Sequence, residues 1–354
     1  MSHSSHETAA GMWFDTFRHV VISCANTFCV AAITLFGLLI ITFSIARFVP
    51  TDPVLAIVGD KASQERYEEV YRELGLDKPL YQQFASYVGK VAKGDFGVSH
   101  FTQQPVSDDL KRVFPATFEL ATAGTLIGIF FGIPLGVLAA VKRGSWIDQL
   151  CRIIGLIGYS VPIFWLGLMG LLIFYNYLDW LPGPGRLDIT YQYTFEPKTG
   201  IILLDTAFAG EWEIFFDALR HLILPASLLG YFSMAYISRM TRSFMLNELT
   251  QEYIVTARVK GLSNIAIIWR HALRNAAVPL ITVIALSYGS LLEGSVLTEV
   301  IFEWPGLGRY LTSSLMNTDM DAALGATLVV GVIFLAVNLL SDILYKVFDP
   351  RTRS

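Results

Sequence analysis

Long apolar runs recur along this 354-residue chain, and they constrain its fold more than any other feature. The hydrocarbon core of a bilayer is ~30 Å thick, and about 20 apolar residues in a helix cross it. Runs of at least that length fall at residues 20–49, 118–141, 153–178, 222–245, 276–297 and 322–345. They are continuous rather than alternating, which excludes a β-barrel. Charged residues make up 16% of the chain, where a soluble domain carries about a quarter. The expected fold is all-α, a polytopic membrane protein with six transmembrane helices. The first run is too long for the apolar core of a signal peptide, so it is expected to be retained as a helix. Cys24, Cys29 and Cys151 form no C-x-x-C pair, so neither a disulfide framework nor a zinc site is indicated.

Between the runs lie an N-terminal segment, 1–19, and a long polar segment, 50–117, with a helix expected at 63–74. Further polar stretches follow at 179–220, 246–275 and 346–354. Short-loop charge gives the orientation. Residues 142–152 carry three bases and one acid, and residues 239–274 carry six bases and two acids. By contrast, 179–220 has three bases against seven acids, and 299–321 has one against four. The basic set is expected in the cytoplasm, which puts both termini there and the 50–117 and 179–220 loops outside.

The stretch 246–275 holds too many charges for hydrocarbon, yet it is patterned. Tyr253, Ile254, Ala257 and Gly261 fall at helical spacing, as do Ile265, Ile268, Trp269 and Leu273. Gly261 suits a helix C-terminus, and Ser263-Asn264 suits the next N-cap. Two short helices joined by a turn are expected.

This loop resembles the coupling loop of ABC-importer permeases, most closely the peptide-permease branch. The matching residues are Glu252-Tyr253-Ile254, Thr256-Ala257-Arg258, Lys260-Gly261-Leu262 and His271-Ala272-Leu273-Arg274-Asn275. The acid of the general family pattern falls at Val255 here, and the closing proline is delayed to Pro279. The resemblance continues in order through Pro50-Thr51-Asp52-Pro53, Leu74-Gly75-Leu76-Asp77-Lys78-Pro79-Leu80 and Gly94-Asp95-Phe96-Gly97. It goes on through Pro115-Ala116-Thr117, Gly132-Ile133-Pro134-Leu135-Gly136 and Pro162-Ile163-Phe164-Trp165. It ends with Leu181-Pro182-Gly183-Pro184-Gly185-Arg186, Trp304-Pro305-Gly306-Leu307-Gly308-Arg309 and Asp349-Pro350-Arg351.

The resemblance implies a type I ABC-importer permease fold in a bacterial inner membrane. It also implies a second homologous permease, two cytosolic ABC ATPase subunits and a periplasmic substrate-binding protein. Glu252, Tyr253, Thr256, Ala257, Arg258, Lys260, Gly261 and Leu262 would then contact the ATPase. Arg258 and Lys260 have lipid headgroups as alternative partners. The nearest relatives expected are dipeptide and D,D-dipeptide permeases, and nickel chelates, glutathione or haem are the alternative cargoes. No nucleic-acid partner is indicated.

No P-loop occurs, since Gly89-Lys90 lacks the flanking residues, so ATP and Mg would sit on partner subunits and this chain would bind no cofactor. Tyr159, Ser160, Pro162, Tyr288, Ser290 and Glu293 are the candidate lining of a polar path, with Glu293 alternatively a snorkelling edge charge. Pro162 is expected to kink its helix. Glycines at four-residue spacing, Gly124, Gly128, Gly132 and Gly136, are either a static packing face or points of helix movement. Two rival classes are an ATP-independent secondary carrier and an intramembrane serine protease built on Ser160. Against the first stands the scarcity of mid-span carboxylates, and against the second the lack of G-x-S-x-G or H-E-x-x-H.

Overall fold

The computed structural model describes residues 29–48, 53–59 and 62–348. The expectations for residues 1–19, for Pro50-Thr51-Asp52 and for Asp349-Pro350-Arg351 lie outside the described residues. Within them the regular structure is helical, apart from one isolated bridge between Val98 and Pro105.

Helix α1 (Cys29–Phe48) is followed by α2 (Pro53–Val58), α3 (Gln64–Glu73) and α4 (Leu80–Ala92). The long α5 (Val106–Val141) leads through a tight turn to α6 (Trp146–Ser160) and α7 (Ile163–Gly170), which widens into a π-helical stretch, Leu171–Tyr177. Two short helices, α8 (Ile189–Gln192) and α9 (Ile202–Ala209), precede the long α10 (Trp212–Leu249). Then come α11 (Glu252–Val259) and α12 (Asn264–Ala266). The latter continues through a π-helical turn, Ile267–Ala272, into α13 (Leu273–Gly294). The chain closes with α14 (Val296–Ile301), α15 (Leu307–Met316) and α16 (Met320–Phe348).

Five helices are long and apolar enough to cross a bilayer, and the bent pair α6–α7 makes six spans if counted as one. The bend is 96°. Pro162 stands at the break and cannot donate the hydrogen bond that would continue α6.

The core is the pair α5 and α10. Small residues let two backbones approach closely, which matters most where lipid gives no hydrophobic drive for association. A Cβ built on Gly124 would stand 2.9 Å from Leu229 Cβ, and one on Gly128 2.5 Å from Ser233 Cβ. At Gly132 and Gly136 the corresponding approaches are 3.1 Å to Ile237 Cβ and 2.6 Å to Thr241 Cβ. The stripe forms a close packing face against α10. A second face of α10 takes α6 and α7, with Gly158 against Ala235, Gly167 against Leu228 and Gly170 against Leu224. Helix α10 is thus the mast of the bundle. Helix α1 lies at its margin, with Val30, Ile33, Ile41 and Phe48 exposed. It is held by α4 through Phe36 and Phe43 against Phe84, and by Leu38 against Gly331 of α16.

Several segments expected to be loops are helical. Helix α5 begins about three turns before residue 118, because Pro105 and the acids Asp108 and Asp109 suit a helix start. The stretch 299–321 forms α14 and α15. Beyond Gly261 no separate short helix exists, since α12 runs unbroken into the spanning α13.

Candidate functional site

Helix α11 sits at one end of the bundle, here termed the loop end. Its N-terminal acid Glu252 and C-terminal base Arg258 suit the helix dipole. Gly261 ends the turn at φ 76°, a left-handed conformation that glycine adopts without strain. Ser263 then caps α12, its hydroxyl accepting from Ala266 N.

Ile254 and Ala257, one turn apart, point inward. They pack with Val137 and Ala140 of α5, Met245 of α10 and Ile267 and Ala272 of the π-helical turn. Tyr253 is half-buried, and its hydroxyl donates to Glu248 at the end of α10. Burial, and then that bond, push the phenol up to about 12. Glu252, Thr256, Arg258, Lys260, Gly261 and Leu262 face solvent. Beside them Val255, Val259 and Ile265 are exposed, Val259 at 83%. The eight loop residues therefore divide into an outward set of six, a half-buried Tyr253 and a buried Ala257. Ala257 is an anchor on the chain's own bundle.

Also at the loop end, Asp148 of α6 accepts two bonds from Arg242 of α10, Nε to Oδ1 at 2.8 Å and Nη2 to Oδ2 at 2.9 Å. The turn between α5 and α6 is closed by Gly144 N donating to the same carboxylate.

The opposite, far end is held by a chain of polar contacts. Glu299 of α14 is fully buried and accepts from four donors: Thr117 Oγ1, Ser295 Oγ, Gly308 N and Arg309 N. The last two are N–H groups of the first turn of α15, which has no partner inside its own helix. Thr117 Oγ1 accepts in turn from Leu307 N. Burial raises the Glu299 pKa above the usual carboxylate range, and its four donors oppose that rise. A set of four donors on two oxygens suits the ionised form, stabilised by the helix N-terminus. Trp304 donates its Nε1 proton to Ala116 O, and the Arg186 guanidinium lies over its ring. Arg186 also pairs with buried Glu119, Nε to Oε2 at 3.0 Å, while Leu203 N donates to the other oxygen of Glu119.

The candidate path residues fall into two groups. Ser160 and Pro162 are exposed at the break between α6 and α7. Tyr159 belongs to α6, but its side chain lies outside the described residues. On α13, Tyr288 is half-buried, shares a hydrogen bond with Thr122 and meets Phe118 edge-on. Ser290 and Glu293 are exposed, and Glu293 borders a crevice with Phe114, Thr117 and Phe334. Among the described residues no hydrogen bond joins the two groups. Ser160, His221 and His271 likewise share no bond, and His221 is buried with its Nδ1 on Asp217 O.

Sequence reasoning missed the pair Glu119–Arg186, and it missed Glu299, Asp148 and Arg242. A signal existed for Asp148, which follows the N-cap Ser145 by three residues in the manner of a capping box. None marked Glu299.

Residues 132–354 match the family model described as "Binding-protein-dependent transport system inner membrane component". Residues 23–121 match that for the N-terminal part of such membrane components. Over 321 residues the chain is 45% identical to the di/tripeptide transport system permease protein DppB of Pseudomonas aeruginosa (strain UCBPP-PA14), covering 90% of this chain and 95% of that one. It is also 45% identical over 317 residues to the probable D,D-dipeptide transport system permease protein DdpB of Escherichia coli (strain K12), covering 89% and 92%. A solved structure of the MetNI methionine ABC transporter in inward-facing conformations overlaps 65% of this chain and 93% of that one, with a TM-score of 0.44 and 16% identity. On the family matches and the two close relatives, this multi-pass chain belongs to the inner-membrane components of binding-protein-dependent transport systems.

Proposed function

We propose that the chain is the permease subunit of an ATP-driven importer of short peptides, working by alternating access in a type I arrangement. A peptide is zwitterionic and rich in hydrogen-bonding groups, so it cannot cross lipid unaided. The cargo reading is supported by the names of the two close relatives, both of which are peptide permeases. In the complex this chain pairs with a second, homologous permease and is fed by a periplasmic binding protein. Two cytosolic ABC ATPases bind ATP and Mg. The loop end and both termini face the cytoplasm.

The observation that carries the reading is the outward face of α11 and α12. Val255, Val259, Leu262 and Ile265 are exposed, as are Arg258 and Lys260 within the same short stretch of chain. Bases at this density keep the face out of hydrocarbon, and an exposed apolar patch in water marks a protein partner. Glu252, Tyr253, Thr256 and Gly261 complete the docking element, and Ala257 seats it. Tyr159, Ser160, Pro162, Tyr288, Ser290 and Glu293 remain the proposed path lining.

The test is to purify the tagged chain gently and identify its companions, then reconstitute the complex in vesicles. Two ATPase subunits should co-purify, and Val259→Glu should remove them while leaving the chain in the membrane. Peptide uptake should require ATP. Uptake on a proton gradient alone would make the chain a secondary carrier and sink the proposal.

A further inference from the structure

Within this chain, helix α6 buries few of its side chains. Leu150, Ile153, Leu156 and Ile157 are all exposed. Among its described side chains, only Asp148 and Gly158 are buried. At one end it stops at the Pro162 break. At the other, its buried Asp148 is gripped by both arms of the Arg242 fork. Between these points it meets α10 through Tyr231 OH, which donates to Ile154 O, and through Gly158 against Ala235.

Arg242 lies on α10 one turn before Met245, and Met245 is fully buried in the cluster that seats α11 through Ile254 and Ala257. Displacement of α11 therefore reaches the end of α10 through close packing. From there to α6 the directional contact is the Asp148–Arg242 pair. A bidentate guanidinium–carboxylate pair resists both sliding and rotation. Charge neutralisation alone would not need it, because Arg152 stands 3.7 Å from Asp148 within the same helix. What Arg242 adds is a bond between helices.

We propose that Asp148 and Arg242 are positioning residues that carry movement of α11 into the broken span α6–α7, and so tie ATP hydrolysis to transport. The inference rests on the function proposed above. The link acts where Ser160 and Pro162 of the proposed path adjoin the bend, so a pull on the near end of α6 changes the angle at its far end.

The test uses the complete complex, with its second permease, ATPases and binding protein, in proteoliposomes supplied with radiolabelled dialanine. The readout is peptide imported per ATP hydrolysed. Arg242→Gln should lower that ratio roughly tenfold, within the range for residues in a coupling network, with assembly unchanged because Arg152 still neutralises Asp148. Arg242→Lys, which keeps the charge and loses the fork, should fall between. The exchange Asp148→Arg with Arg242→Asp should recover most of the ratio. Spin labels at position 150 of α6 and position 315 of α15, both exposed and both outside the docking face, should report an ATP-dependent distance change in the parent protein that Arg242→Gln abolishes. A parent-like ratio in the assembled variants, or a surviving distance change, would overturn the proposal. So would loss of assembly in all of them, which would make the pair a brace only. Failure of the parent complex to assemble or import is a different result, and it removes the proposed function itself.

Discussion

At the far end Glu299, Glu119 and Asp109 are buried carboxylates that accept bonds from segments distant in sequence. At the loop end α11 is seated by Ile254 and Ala257 against apolar neighbours, and Glu252, Arg258 and Lys260 stay in solvent. Directional bonds to buried charges fix one arrangement and are costly to leave half-made. Apolar contacts are non-directional and tolerate small shifts. The far end is therefore built as a frame, and the loop end as a seat for a helix that presents a surface. Asp148–Arg242 is the exception, a far-end style of bond placed at the loop end.

If that contrast holds, substitutions at the two ends should fail in different assays. The largest effect is expected at Glu299. Glu299→Ala leaves two α15 N–H groups and two hydroxyls without their acceptor, which should cost about 3 kcal/mol or more. Thermal unfolding in detergent reads this directly, and a melt unchanged from the parent would break the comparison. Arg186→Met strands the buried Glu119 and should cost about 3 kcal/mol. Adding Glu119→Gln should restore part of it, since contacting residues are non-additive. Gly128→Ala forces a methyl against Ser233 and should cost about 1–3 kcal/mol, with no effect on ATPase binding once the chain is folded.

At the loop end, Tyr253→Phe should cost about 1 kcal/mol. The phenol is raised to about 12 when folded, so its bond to Glu248 stabilises fully below the ordinary tyrosine range and is lost as pH rises through the folded value. The cost should therefore be the same at neutral and mildly alkaline pH. Last, Arg258→Ser should shift the melt by less than about 0.5 kcal/mol, yet weaken ATPase co-purification. A large melting change there would mean that the outward face is structural.

Much of this was legible in the chain. Continuous apolar runs marked the spans, Gly261 and Ser263 marked the loop turn, and Pro162 marked the bend. Each depends on local chemistry. The frame depends on pairing at a distance, which local pattern does not carry. Pro115-Ala116-Thr117, the Arg186 turn and Trp304–Arg309 read as three separate motifs. In the fold they touch one another, through Trp304 Nε1 to Ala116 O, Leu307 N to Thr117 Oγ1 and Arg186 over Trp304. The helical nature of 299–321 was hidden for the same reason. The N-terminus of α15 is completed by Glu299 of α14 and Thr117 of α5, both of them from other helices.

The Glu299–Thr117 contact also bears on biogenesis. Its two halves are 182 residues apart, and Glu119 waits 67 residues for Arg186. A ribosome delivers α5 to the membrane with both polar side chains still lacking their mates. The nascent permease must hold that helix, unsealed, until all but its final span has been made.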